Sequence, residues 1–224
     1  MNNISERLIF AARRFCTLDI RALAAVRIGL GLIMIWQILD YLPQAQTFFS
    51  DQGVLPRVND REILDSMGLQ SAWTLYAING SVEFARGMML AQLITAIAFT
   101  VGFATRWANV ICLILVWSLQ MRNPLITTGG DVLLRTLLIW SMFLPMGAAA
   151  SVDMIIRPSK RWPKSHVFNV ATVGMVVQLM FVYFCAGVAK LNADWFAGNG
   201  LSMALNWKCM SRHLVNGSRV GRCC

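Results

Sequence analysis

Arg86-Gly-Met-Met-Leu-Ala-Gln-Leu-Ile-Thr-Ala-Ile-Ala-Phe-Thr-Val-Gly-Phe-Ala-Thr-Arg-Trp-Ala-Asn-Val-Ile-Cys-Leu-Ile-Leu-Val-Trp-Ser-Leu-Gln-Met121 is apolar almost from end to end. As one helix it would measure roughly 54 Å, against a hydrocarbon thickness of about 30 Å. The run must therefore fold back on itself. Gly102-Phe-Ala-Thr-Arg106 is its only break. Two short antiparallel spans, about 87–103 and 107–121, are therefore expected to join there.

Three further runs share this character. Ile20 to Leu42 is rich in Leu, Ile and Ala and is stopped by Pro43, giving a first span at about 20–42. Arg21 and Arg27 lie in its first turns, where their stems can reach back toward the headgroups. Gly29 and Gly31 would let a neighbouring helix approach closely. A fourth span is expected at about 132–150 and a fifth at 167–190. The whole chain is 57% hydrophobic and only 14% charged, too apolar for a soluble core of its length. The expected fold is an all-α integral membrane protein, a bundle of about five transmembrane helices within 20–205. Ahead of it, Ile4, Leu8, Ile9, Ala12 and Phe15 recur at helical spacing among Arg7, Arg13 and Arg14. That pattern suits an amphipathic helix lying on the cytoplasmic membrane surface within 1–19. It is a poor match to a cleaved signal peptide.

The net charge of +9 sits between apolar runs and after Trp207, with no RNP, zinc-finger or helix-turn-helix pattern, which argues against nucleic acid. Cys112 and Cys185 fall inside apolar runs and read as packing residues. The six cysteines form no C-x-x-C, and His166 and His213 stand far apart, so neither a metal centre nor a catalytic triad is expected.

The polar stretches are the connections. In 44–85, Asp60 beside Glu62 reads as a solvated mixed-charge face, and Trp73 with Tyr76 as an interfacial aromatic pair. Arg122-Asn-Pro-Leu-Ile-Thr-Thr-Gly-Gly-Asp131 is built from turn residues; Asp131 is a good helix N-cap, and Arg135 stands four residues on, placed to pair with it. Arg157, Lys160, Arg161 and Lys164 make a dense basic loop, which belongs in the cytoplasm. With the N-terminus inside, Arg106 also returns to the cytoplasm, while the Asn123–Asp131 loop and the segment after Lys190 both emerge outside. The implied location is the inner (cytoplasmic) membrane, crossed several times.

The fifth span ends on Lys190, with Asn192, Asp194 and Trp195 directly behind. A lysine at the edge of hydrocarbon is costly unless paired, hydrated or neutralised. It either snorkels to the headgroups as a helix-end anchor or serves as a base, and the residues alone leave both open. If packed helices bring Lys190 near the Asn123 loop, the two polar clusters would line one cavity.

Asp19-Ile-Arg-Ala, Arg27-Ile-Gly-Leu-Gly31, Gly53-Val-Leu-Pro-Arg57, Arg122-Asn-Pro-Leu, Gly129-Gly-Asp-Val-Leu-Leu-Arg135, Phe143-Leu-Pro-Met-Gly147 and Ala186-Gly-Val-Ala-Lys-Leu-Asn-Ala-Asp-Trp195 together resemble the HTTM-domain family. Its best-known member type is the vitamin K-dependent gamma-glutamyl carboxylase. The resemblance runs from Asp19 to about Leu205. It implies a base at Lys190 and a binding region for reduced vitamin K or another quinol around Asn123, with Asp131, Arg135, Asn192 and Asp194 as further candidates. It also implies a peptide or protein substrate alongside the lipid bilayer. Two positions depart from the carboxylases: Ala189 replaces the first lysine of a doublet, and Pro124 stands where a histidine follows the asparagine. Relatives continue with more helices beyond about Leu205, so the basic segment 206–224 is expected to be disordered, from a truncated or frame-altered continuation. Two functions stay open: a quinol-dependent, carboxylase-like enzyme, or a non-catalytic membrane protein for peptide export, maturation or immunity (an inactive remnant included).

Overall fold

The computed structural model describes residues 16–57, 62, 73–156 and 165–198. The expected surface helix at 4–15, Asp60, the basic cluster at 157–164 and the tail after 206 lie outside the described residues. The chain falls into two compact units, Met1–Met175 and Val176–Cys224.

The fold is all-α apart from a two-residue antiparallel ladder, β1 (Leu18–Asp19) with β2 (His166–Val167). Helix α1 (Ile20–Tyr41) starts on Asp19, whose carboxylate accepts from the Arg21 N–H at 2.7 Å, and ends ahead of Pro43. A short α2 (Ala45–Phe49) follows. Helix α3 (Val82–Val101) opens five residues ahead of the expected 87, because the Ser81 hydroxyl caps the Phe84 N–H and Glu83 favours the first turn. It ends where the sequence breaks. Gly102 takes the left-handed conformation, φ +76°, and its N–H returns to the carbonyls of Ala98 and Phe99.

Helix α4 (Thr105–Arg122) then runs back along α3. Its N-terminus is capped from a distant part of the chain. The Asp153 carboxylate accepts from the backbone N–H groups of Ala104 and Thr105, each at 2.8 Å, and from the Thr105 hydroxyl at 2.7 Å. Asp153 belongs to the short α6 (Val152–Ile156).

Helix α5 (Gly129–Ser141) corrects the fourth span, which stops at Ser141 rather than near Ala150. Pro145 has no N–H to continue a helix. The carbonyls of Met146, Ala149 and Ala150 instead turn toward Arg27. Helix α7 (Val170–Ala189) begins on a reciprocal cap between Asn169 and Thr172 and leads to the short α8 (Ala193–Phe196).

Helices thus stand at all five expected positions. Three of them, α1, α3 and α7, are long and apolar enough to cross a membrane. Helix α1 shows why the apolar count is so high. Leu23, Leu30, Met34 and Ile38 face the core, yet Leu32, Ile33, Trp36 and Leu39 cover the opposite side and are exposed. A helix apolar on both faces suits a lipid environment better than water. The core joins α1, α3, α4 and α5 through Met34, Met89, Phe99, Val116 and Leu138. Gly31 permits the close approach expected of it, since a Cβ there would overlap Thr100 of α3; Gly29 faces open space. Cys112 is buried as expected, whereas Cys185 is exposed. The aromatic pair is corrected as well. Trp73 is exposed, but Tyr76 is buried against Phe49, their rings 6.1 Å apart.

Candidate functional site

The residues singled out in the sequence fall into two groups, one in each unit. In the first, the end of α4 builds a cleft. Asn123 breaks the helix, with φ −141°, and Pro124 opens a 3-10 turn over Pro124–Ile126. The Asn123 side chain is buried and held at both ends: its Nδ2 donates to the Phe48 carbonyl at 3.1 Å and its Oδ1 accepts from the Leu125 N–H at 3.2 Å. The loop beside it is pinned by charge. Arg57 grips the Asp51 carboxylate at 2.7 to 2.9 Å, and buried Arg122 donates to the Leu55 carbonyl at 2.8 Å. The hydrogen bonds from Arg57 hold the Asp51 carboxyl below the usual carboxylate range.

Asp131 takes a different place from the one its type suggests. Thr128 is the N-cap of α5, and Asp131 is the third residue of a capping box: its Oδ2 accepts from the Thr128 N–H at 2.7 Å and the Thr128 hydroxyl at 2.8 Å. Its Oδ1 accepts from Gln37 Nε2 of α1 at 2.6 Å, and its main-chain carbonyl accepts from Gln120 Nε2 of α4 at 3.0 Å. The expected pairing with Arg135 is therefore replaced. The carboxylate is already occupied, and the Arg135 guanidinium lies over the Trp117 ring, 4.3 Å from its centroid.

Gln37, Gln120, Asn123 and Asp131 all line one small cavity of about 10 Å³, closed on its apolar side by Tyr41, Phe49 and Leu119. That volume is close to one water molecule. Gln37 Oε1 and Gln120 Oε1 are buried with no hydrogen-bond partner among the protein's own atoms, and the Gln37 side chain lies beside the Tyr41 hydroxyl. Neither glutamine was singled out in the sequence. The available signal was an amide within an otherwise apolar run, a costly choice without a partner.

In the second unit, α7 ends at Ala189 and Lys190 follows it. Asn192 shapes the turn: its Nδ2 donates to the Ala189 carbonyl at 3.1 Å, and its Oδ1 caps the Trp195 N–H at 2.8 Å. The turn sets Lys190 Nζ 5.0 Å from the centroid of the Trp195 ring, within cation–π range. The lysine is exposed on the surface of the chain. The Asp194 side chain lies outside the described residues. The structure therefore brings Asn123 and Asp131 together, puts Arg135 on Trp117, and joins Lys190 to Asn192 and Trp195. Among the described residues, no group of three His, Cys, Asp or Glu side chains is arranged to hold a metal ion.

A family model described as HTTM domain matches residues 15–216 of the chain. No curated protein and no solved structure matches.

Proposed function

Because the chain belongs to the HTTM-domain family, we propose that it is a membrane enzyme of the carboxylase-like kind, with Lys190 as the base for a reduced quinol. The observation that carries this reading is the turn after α7. A lysine directly follows a twenty-residue apolar helix, and the two hydrogen bonds of Asn192 hold the turn that sets its amine over Trp195. In the neutral form the amine takes a phenolic proton, and the Trp195 ring face then steadies the ammonium it becomes. The bound quinol would supply the reducing equivalents that turn oxygen into a base strong enough to deprotonate a glutamate side chain before carbon dioxide adds.

The cavity beside Asn123 and Asp131 is about the size of one water molecule and does not fit a quinol ring, so the quinol enters this reading through the family resemblance alone. Both oxygens of Asp131 already accept hydrogen bonds, from Gln37 and from Thr128, and this reading gives the proton transfer to Lys190. The sidedness proposed with this reading, N-terminus in the cytoplasm and the Asn123 loop outside, rests on the distribution of basic residues. The inner membrane is the location that goes with it.

One observation favours the non-catalytic reading. Pro124 opens the 3-10 turn where the carboxylases carry a histidine, so the position offers no side-chain donor. Lys190→Arg decides between them, because arginine keeps the charge and the contact with Trp195 but is never a neutral base near pH 7. In lipid nanodiscs with a reduced quinol, a glutamate peptide and labelled carbon dioxide, the variant should keep its melting temperature and lose at least about a hundredfold in fixation. Equal fixation by wild type and variant would make Lys190 an anchor and remove the reaction's base.

A further inference from the structure

Arg135 is a cation that the reaction proposed for Lys190 leaves unused. Its neighbours along α5 are Leu133, Leu134, Thr136 and Leu137. The residue is half-buried, and Nη1 is buried with no hydrogen-bond partner. Neither ion pair among the described residues includes it. Asp131, one turn earlier, already has both oxygens occupied by Gln37 and Thr128. What holds Arg135 is the Trp117 ring of α4, with the guanidinium 4.3 Å from its centroid. A ring face attracts the cation but offers no oxygen to its N–H groups. The surface around the pair is apolar. Trp107, Ile111, Ile114 and Trp117 recur at helical spacing along α4 and are exposed. Val132, one turn before Arg135, is an exposed apolar residue of α5. The two antiparallel helices are tied near both ends, by Asn109 Nδ2 to Ser141 Oγ at 2.7 Å and by Gln120 Nε2 to the Asp131 carbonyl at 3.0 Å. Arg135 and Trp117 lie between these ties.

We infer that the junction of α4 and α5 binds a membrane phospholipid, with its phosphodiester on Arg135 and an acyl chain along Ile114 and Ile111. Charge complementarity selects this occupant. A guanidinium at an apolar face is costly in hydrocarbon unless an anion meets it, and its planar fork of donors matches two phosphate oxygens. A tryptophan suits the same boundary, since its ring belongs with the chains and its N–H with the headgroups. Direction agrees as well. Helical side chains lean toward the N-terminus, so Arg135 reaches toward the Gly129 end of α5. The Gln120 tie puts the end of α4 beside that same end, and Ile114 and then Ile111 lie progressively farther from it. A phosphate at the guanidinium therefore has an apolar track leading away from it, as a lipid requires. None of this uses Lys190 or the reaction proposed for it.

The test is lipid binding to the full chain, delipidated in detergent and followed by native mass spectrometry. The probes are dioleoylphosphatidylglycerol and dioleoylglycerol, which has the same chains and no phosphate. The phospholipid should bind at least about tenfold tighter. Arg135→Gln should lower its affinity by at least about tenfold, whereas Arg86→Gln, an exposed cation on α3, should change it less than about twofold. Equal affinity for the two probes, or equal losses in the two variants, overturns the inference. Excess inorganic phosphate or a tetraglutamate peptide should leave the lipid in place, because neither brings chains for the apolar track; displacement by either overturns the lipid as occupant. Unaltered protein supplies a second arm that no folding defect can spoil. A phosphatidylglycerol with a photoreactive acyl chain should crosslink to 111–117 and 132–136, and labelling spread evenly over the exposed faces of α1 and α3 overturns the site.

Discussion

Helix α1 carries a polar side chain near each end, fully buried at Arg27 and half-buried at Gln37, and the two are used differently. Near its start, Arg27 is fully buried and donates to the carbonyls of Met146 at 2.8 Å, Ala149 at 3.2 Å and Ala150 at 2.5 Å. Ten residues on, about 15 Å along the axis, Gln37 donates to the Asp131 carboxylate at 2.6 Å. The first cluster is a splice: one cation gathers the non-helical stretch that follows α5 and holds it against α1. The second is a tie between helices. What each side chain holds separates them: Arg27 gathers three carbonyls of the stretch after α5, while Gln37 donates to the Asp131 carboxylate at the start of α5.

Breaking the splice should have the largest effect. Arg27→Leu leaves three carbonyls without their donor and should cost about 3 kcal/mol or more, measured as a fall in apparent melting temperature in detergent. A loss no greater than an ordinary surface change would show that the cation does not hold the stretch. Gln120→Leu gives up one hydrogen bond to the Asp131 carbonyl but also removes one orphaned acceptor. Its net effect on stability should lie within about 1 kcal/mol of zero. A cost equal to that of Arg27→Leu would erase the contrast between the two ends.

The smallest effect belongs to Asp51, whose carboxyl is held low chiefly by hydrogen bonds from Arg57. A depressed carboxylate contributes fully above its unfolded value, about 3.9, and loses that contribution as pH falls through its own lower value. The melting advantage of wild type over Asp51→Asn should be small and steady from pH 7 to about pH 5 and shrink below about pH 4. An advantage unchanged down to pH 2 would exclude a charge-based role. Both partners are about one-third exposed, so solvent screens the pair.

The helices were largely legible in the sequence, because runs of apolar residues stopped by Pro43 or by Gly102 have few other solutions. The run after Ser141 was not. Phe143, Leu144, Met146 and the alanines 148–150 are as apolar as a helix, and only the demand of Arg27 for carbonyl acceptors shows why they leave it. Arg27 itself looked like a side chain reaching for headgroups, since a sequence cannot distinguish lipid phosphates from carbonyls brought in from 119 residues away. In the site, Asn123 and Asp131 were legible from their turn, and their meeting in one cleft is found. Gln37 and Gln120 stood out only as amides within apolar runs, with no periodicity to show that they share a partner. Their role is visible only through the shared partner, Asp131.

The brevity of α5 has a further consequence. Its thirteen residues rise only about 20 Å, roughly 10 Å less than a typical hydrocarbon layer. Were α5 to cross a bilayer as the sequence reading expects, it would create hydrophobic mismatch, met by local thinning or by water and headgroups reaching down to it. The strain is smallest where lipid chains are short. Vesicles of graded acyl-chain length would then sort this protein by thickness, with the preference relieved by lengthening α5 by one apolar turn.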